Sequence, residues 1–259
     1  MEALKFSRAV TLIPLFMSWF IIGCDDDDDT DSPIGQIRIE DTFEQGANGW
    51  SSGFADYDVG EEELFELQFE RTALPDPLDA DQMALKLSGT NRSDELFMFL
   101  KKKVSGLEPD ADYQIDFSIE FASNVADNLV GIGGSPGESV FVKVGAAMVE
   151  PEKVSVTEGG REFYRMNVDK GGQSKGGDNA VVVGDFSNDT DESVYTLKTV
   201  ETDSPFEATT DENGVLWLLV GTDSGFEGTT TIYYNQISAT LSLADESMSN
   251  NQIGPLDYG

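Results

Sequence analysis

The chain reads as an all-β protein, an antiparallel sandwich or barrel, and three observations carry that reading. The stretch DYQIDFSIEFAS places Tyr113, Ile115, Phe117, Ile119 and Phe121 on one face. Gln114, Asp116, Ser118 and Glu120 fall on the other, the period of two of a half-buried strand. Eight further strand-like runs recur between clusters of Gly, Asp, Asn and Pro. No stretch between them has the spacing of a long amphipathic helix.

In chain order, ELFELQF (63–69), MALKLSG (83–89) and ELFMFLKKKV (95–104) precede the alternating strand. SVFVKVGAAMV (139–149), AVVVGDF (180–186) and VYTLKTV (194–200) follow it, then VLWLLVGT (215–222) and TTIYYNQISATLSL (230–243). Each joins β-branched or aromatic residues to flanking turn formers. The texture is uniform from 36 to 244, which marks one domain. DESMSNNQIGPLDYG (245–259) is polar and reads as a disordered tail.

Hydrophobic residues make up 39% of the 259, enough for a folded core. Sixteen basic residues against 49 acidic give a net charge of −33. That excludes nucleic acid as a partner, because phosphate binding needs clustered Lys and Arg. The acid excess suits solubility in a salty or extracellular medium, or cation binding by some of the carboxylates. The chain has no histidine, which removes the commonest general base and the Ser-His-Asp triad. One cysteine allows neither an internal disulfide nor a cysteine zinc site.

That cysteine sits in FIIGCDDDDDT. Lys5 and Arg8 form a basic start, and 9–23 is an uncharged run containing Pro14. The run is short for a spanning helix and has the length of a secretory leader. Ile21, Ile22, Gly23 and Cys24 resemble the lipobox of bacterial lipoproteins. The resemblance implies cleavage after Gly23 and acylation of Cys24, whose thiolate is nucleophilic enough to take a diacylglycerol group. Anchoring follows, at about 0.8 kcal/mol per buried methylene. The aspartates and TDSPIG make 24–35 an acidic tether, extended by like-charge repulsion. An acidic run after the lipidated cysteine resembles the surface-export signal of Bacteroidetes lipoproteins. An Asp at that place also resembles the inner-membrane retention signal of enterobacteria. The length of the run favours outward display on the outer membrane.

Three marks refine the fold: DTFEQGANGW (41–50), VSGLEPDADYQIDFSIEFAS (104–123) and LWLLVGTDSGFEGTTTIYYNQISATL (216–241). In this order they resemble the galactose-binding-like jelly roll of many carbohydrate-binding modules. The resemblance implies an antiparallel β-sandwich of jelly-roll type over 36–244. It also implies a structural calcium where the first and last strands meet. Asp41 and Glu44 match the opening motif, whereas Asn235 stands where the family usually has Asp. Oxygen ligands of this kind suit calcium, and the lost carboxylate weakens the site.

Sugar sites pair an exposed aromatic face with polar groups that read hydroxyls. Trp50, Phe54 and Tyr57 lie in the glycine-rich GWSSGFADYDVG (49–60), read as a loop. Trp50 is expected in the core and Tyr57 at the surface. Trp217, inside an apolar run, is expected in the core. The run REFYRMNVDKGGQSKGG (161–177) concentrates Arg161, Arg165, Lys170 and Lys175 around Tyr164 in an otherwise acidic chain. It reads as an ordinary solvated loop, or as a site for an acidic sugar. GIGGSPGES (131–139) lacks the Lys-Ser/Thr ending of a phosphate loop and reads as a connection. DFSNDTDESV (185–194) lacks the loop glycine of an EF-hand.

The function these features imply is glycan binding by a membrane-anchored lipoprotein without catalytic activity. The alternatives are a structural or adhesion lipoprotein with an envelope protein partner, and a polysaccharide lyase or hydrolase. Two carboxylates suffice for glycoside hydrolysis, but among 49 acidic residues no spacing selects a pair. Cys24→Ser is expected to abolish acylation and move the protein from the detergent phase to the aqueous phase on detergent partitioning of cells.

Overall fold

The computed structural model describes residues 36–92 and 95–244. The expected leader (1–23), Cys24 with its tether to 35, and the expected tail (245–259) lie outside the described residues. What is described folds as the expected antiparallel sandwich of jelly-roll type, with two large sheets and a small third one.

The first sheet is built on β7 (Asp112–Ser123) and β15 (Thr229–Leu243). The apolar face of β7 is buried from Tyr113 to Phe121, as its alternation requires. In β15 the inward residues are Ile232 and Tyr234, then Ile237, Ala239 and Leu241. The parity changes because a bulge at Asn235 inserts one residue, which returns the apolar side chains to the core. The outer partner of β15 changes at the same point. Thr229–Tyr234 pairs with β5 (Met83–Thr90), and Gln236–Ser242 with β1 (Gln36–Thr42). On the far edge of β7 lie β13 (Phe206–Thr209) and β12 (Thr196–Glu201), while β4 (Gln68–Ala73) pairs with β5.

The second sheet runs β11 (Val181–Asp185), β8 (Val140–Ala147), β14 (Val215–Ser224), β6 (Phe97–Ser105), β2 (Trp50–Ala55). Met98, Leu100, Val142, Val144, Leu218 and Val220 face the first sheet in the main core. Its other face is also covered. Phe97, Phe99, Ala147 and Leu219 form a second buried cluster with Val168 and Ala180. A sheet buried on both sides needs apolar residues at every position, so β6 and β14 begin or run as unbroken apolar stretches. Glycines permit close cover: a Cβ at Gly53 would lie 2.2 Å from the Phe99 ring. The third sheet is β3 (Tyr57–Asp58), β10 (Arg161–Met166) and β9 (Lys153–Glu158), and Met166 packs on the second cluster.

The structure corrects several expectations. The run at 63–69 is not one strand. Glu62–Phe65 is a 3-10 turn that buries Phe65, and Glu66 adopts φ 49°, which interrupts any ladder before β4. The loops expected over 49–60 and 161–177 contain β2, β3 and β10. These strands escape pattern reading because they are short and polar on at least one face.

Alternation along the central pair sets the expected energetics. Phe121→Ala, in the core of β7, should cost about 3–5 kcal/mol. Thr240→Ala, on the outward side of β15, should cost less than about 0.5 kcal/mol. Urea unfolding of the two variants checks the contrast.

Candidate functional site

The outer face of the second sheet holds the chemistry, and a loop over 167–180 divides it into a covered half and an open half. The loop approaches closely because β8 offers a glycine: a Cβ at Gly145 would lie 2.0 Å from the Asn179 carbonyl oxygen. Asp169 closes the loop on itself. Its backbone carbonyl accepts from Asn179 N (2.8 Å), and its carboxylate accepts from Gly171 N (2.9 Å) and Asp178 N (3.2 Å). Those backbone donors hold its carboxyl below the usual range.

Under the loop lies a buried charge network. Lys143, fully buried on β8, points away from the main core. Its ammonium donates to Asp223 Oδ2 (2.9 Å) and to the carbonyls of Lys170 (2.9 Å) and Lys175 (3.0 Å). All three ammonium protons thus have acceptors. Lys170 Nζ reaches Asp223 Oδ2 (2.8 Å) and Asp56 Oδ2 (2.9 Å) and lies 4.9 Å from the Phe97 ring centroid. Asp223 Oδ2 takes a third donor, Gln173 N, at 2.9 Å. Asp56 sits at the kink between β2 and β3 with φ 63°, rare for a non-glycine residue, its amide bonded to the Tyr164 carbonyl. Arg165 closes the network toward solvent through Glu95 (2.6 Å), Glu158 (2.9 Å) and Asp56 (3.3 Å). Around it is a cleft of about 310 Å³.

Burial sets the proton affinities here. It raises the Asp56 carboxyl, an effect that Lys170 only partly opposes, and it lowers the Lys143 amine. Burial also pushes Lys170 down, but Asp223 and Asp56 outweigh it and the net direction is up. A hydrogen bond from Arg165 holds Glu158 below its usual range.

The open half carries Trp217. It is half-buried on the outer side of β14, paired with Lys103 of β6 and Ala147 of β8. The Lys101 ammonium lies 5.8 Å from its ring centroid and pairs with Glu150 at 2.7 Å. At the sandwich edge, between Ala147 of β8 and β13 of the first sheet, a groove of about 480 Å³ opens with Asp178, Asn179, Glu207 and Thr209 among its walls. Trp217, expected in the core, is instead half-buried on this face. The signal was the lysine run of β6: Lys101 and Lys103 share a face, and antiparallel register sets Trp217 beside them.

The residues singled out in the sequence do not form one surface. Tyr57, expected exposed, is buried, because the kink at Asp56 turns it inward against Phe65 and Tyr164, each with ring centroids 5.1 Å away. Its hydroxyl accepts from Lys153 Nζ at 2.5 Å. Burial, aided by Glu62, pushes its pKa up to about 12. Tyr164 is half-buried under Lys153, whose ammonium lies 3.8 Å from the ring centroid. Arg161 pairs with Asp58 at 2.6 Å and shares a face with Arg165 across Phe163. Lys175 contributes its carbonyl to Lys143. The cations at 161, 165 and 170 are thus matched by carboxylates of this chain, the reverse of the arrangement an acidic sugar needs. Trp50 is buried, as expected.

The calcium set does not fit. Asp41 Oδ2 accepts from Lys102 Nζ (2.5 Å) and Trp50 Nε1 (2.8 Å). Glu44 accepts from Met83 N at 3.1 Å, and Asn235 donates its amide to Glu120 at 2.6 Å. Each is committed elsewhere, and Lys102 brings to Asp41 the positive charge a metal would supply. Among the described residues no three His, Cys, Asp or Glu side chains group as a metal ion requires.

No family model matches the chain, and no curated protein matches it. Solved structures do. The enzymatically active domain of tailspike protein 4 from bacteriophage CBA120 is 10% identical, with TM-score 0.34, covering 73% of this chain and 19% of its own. The CBM22-1–GH10 modules of Clostridium thermocellum xylanase 10B are 14% identical, with TM-score 0.36, covering 83% and 30%. A carbohydrate-binding module that recognises mannan is 11% identical, with TM-score 0.31, covering 79% and 97%. The chain therefore spans less than a third of the first two. At these scores the likeness carries no argument about ligand.

Lys143→Met keeps most of the side-chain volume but leaves Asp223 and two loop carbonyls short of a donor. It should cost about 3–5 kcal/mol, read from urea unfolding.

Proposed function

We propose that the chain is a lipid-anchored envelope lipoprotein, displayed outward, whose sandwich binds a glycan on the open half of the second sheet's outer face. The observation that carries this is Trp217, a half-buried aromatic on a sheet face, whose cross-strand neighbour Ala147 lines a polar groove at the sandwich edge. An indole ring offers a flat apolar surface to the C–H face of a pyranose. The carboxylates, amide and hydroxyl of the groove supply acceptors and donors for its hydroxyls, the mixture expected of a small-ligand site. The lipobox residues ending at Cys24 and the aspartates after them support the anchoring and its outward direction.

Nothing in this arrangement calls for catalysis. The conspicuous buried acid and base groups are engaged with one another under the loop, away from the platform. A protein partner is the second reading. It is favoured by Leu129, Val130 and Ile132, which are 40%, 95% and 71% exposed on one loop. A stoichiometric protein cross-linked to that loop in intact cells decides for it.

Trp217→Ala should weaken binding of the recognised neutral oligosaccharide by at least about 1 kcal/mol, roughly fivefold, with unchanged thermal stability. A glycan array followed by calorimetric titration of the hit checks this. A hit indifferent to the substitution removes the platform from the site.

A further inference from the structure

A primary amine and a carboxyl carbon are held against each other, out of water, under the loop. Lys143 of β8 lies opposite Gly221 of β14, and Asp223 lies two residues further along β14 on the same face. Diagonal neighbours of this kind are within reach of a long side chain, and Gly221 has no side chain to come between them. The Lys143 ammonium meets Asp223 Oδ2 at 2.9 Å, with side chains 0% and 1% exposed. A nitrogen hydrogen-bonded to a carboxyl oxygen stands about 3.5 Å from the carboxyl carbon, the separation of a pair poised to react.

Three further observations set this contact apart from the other ion pairs among the described residues. In each of those at least one side chain is more than 1% exposed, whereas here both are sealed. Burial lowers the Lys143 amine, which brings its neutral, nucleophilic form within reach. The two oxygens of Asp223 are also unlike. Oδ2 accepts in addition from Lys170 Nζ (2.8 Å) and Gln173 N (2.9 Å), so a departing oxygen is already surrounded by donors. Oδ1 is buried and meets no donor. That is costly for a carboxylate oxygen and less so for the oxygen of a neutral amide.

We propose that Lys143 and Asp223 condense into an intramolecular isopeptide bond that joins β8 to β14. A proton passes from the Lys143 ammonium to Asp223 Oδ2 along their hydrogen bond. The lone pair of the freed amine forms the Nζ–Cγ bond. The Cγ–Oδ2 bond breaks as Lys170 Nζ gives a proton to the departing hydroxyl, which leaves as water, and Lys170 takes a proton back from the nitrogen. One ammonium and one carboxylate become one amide and one water, with no change of oxidation state. Oδ1 stays as the amide oxygen, and the amide N–H remains for a loop carbonyl. Asp56, 2.9 Å from Lys170, holds that lysine beside the reacting oxygen. The bond forms once and does not depend on the glycan-binding reading. It gives a chain whose single cysteine permits no internal disulfide a covalent brace that reductants leave intact.

The test is peptide mapping of the folded full chain by mass spectrometry, after denaturation and tryptic digestion. The bond predicts a branched peptide joining 104–153 to 199–259, lighter than the two parts by one water and uncut at Lys143. Lys170→Arg is the diagnostic variant, because it keeps a cation beside both carboxylates but cannot release its proton. It should lower the linked fraction of freshly made protein at least about tenfold. Recovery of only the separate peptides 104–143, 144–153 and 199–259 from the unmodified chain overturns the proposal. A branch at Lys170 in place of Lys143 also overturns it, since the other amine is then the nucleophile. A Lys170→Arg chain that links as fully as its parent leaves the bond standing and overturns the role given to Lys170. If that variant does not fold, the map of the unmodified chain decides alone.

Discussion

The contact on which the outer face depends is the carboxylate of Asp223 between two lysine ammoniums. Taking charges out of water costs several kcal/mol each, and only close opposite charges and full hydrogen bonding offset it. Lys143 meets that requirement by reaching up from β8 to two loop carbonyls as well as across to Asp223. The loop over 167–180 is thereby fixed to the sheet, Val168 and Ala180 are pressed onto Phe97 and Phe99, and the face is divided in two. Replacing one charge in this set changes the shape of the surface as well as its potential.

The sandwich was legible because its central strand alternates cleanly and its neighbours are rich in β-branched and aromatic residues. The small third sheet was not. In β9 and β10 the exposed residues lie on both sides, so neither period two nor an apolar run marks them. Of the candidate site, the basic residues at 161–175 were found by composition, but their partners come from other parts of the chain: Asp56, Asp58, Glu95 and Asp223. Only folding reveals that the cations are matched. Tyr57 and Trp217 exchanged expected places for the same reason. Local texture predicts burial poorly where a kink or a register decides which way a ring points.

The junction of first and last strands shows how one charge can serve for another. The family resemblance implies a metal there, and the opening motif keeps Asp41. Here Lys102, on β6 of the facing sheet and paired with Trp50, gives that carboxylate an ammonium at 2.5 Å. A covalently attached cation needs no supply from the medium and forms with the fold, whereas a metal's contribution rises and falls with its concentration.

The pairing of β1 with β15 has a mechanical consequence. Seven residue pairs, from Gln36 opposite Ser242 to Thr42 opposite Gln236, join the first strand to the last. Tension that enters ahead of Gln36 and runs along the strand axis loads this ladder in shear. Its hydrogen bonds then yield together rather than one after another, as they would if the strand were peeled away from one end. A domain held at its leading end and pulled by whatever it grips would resist extension through this seam first.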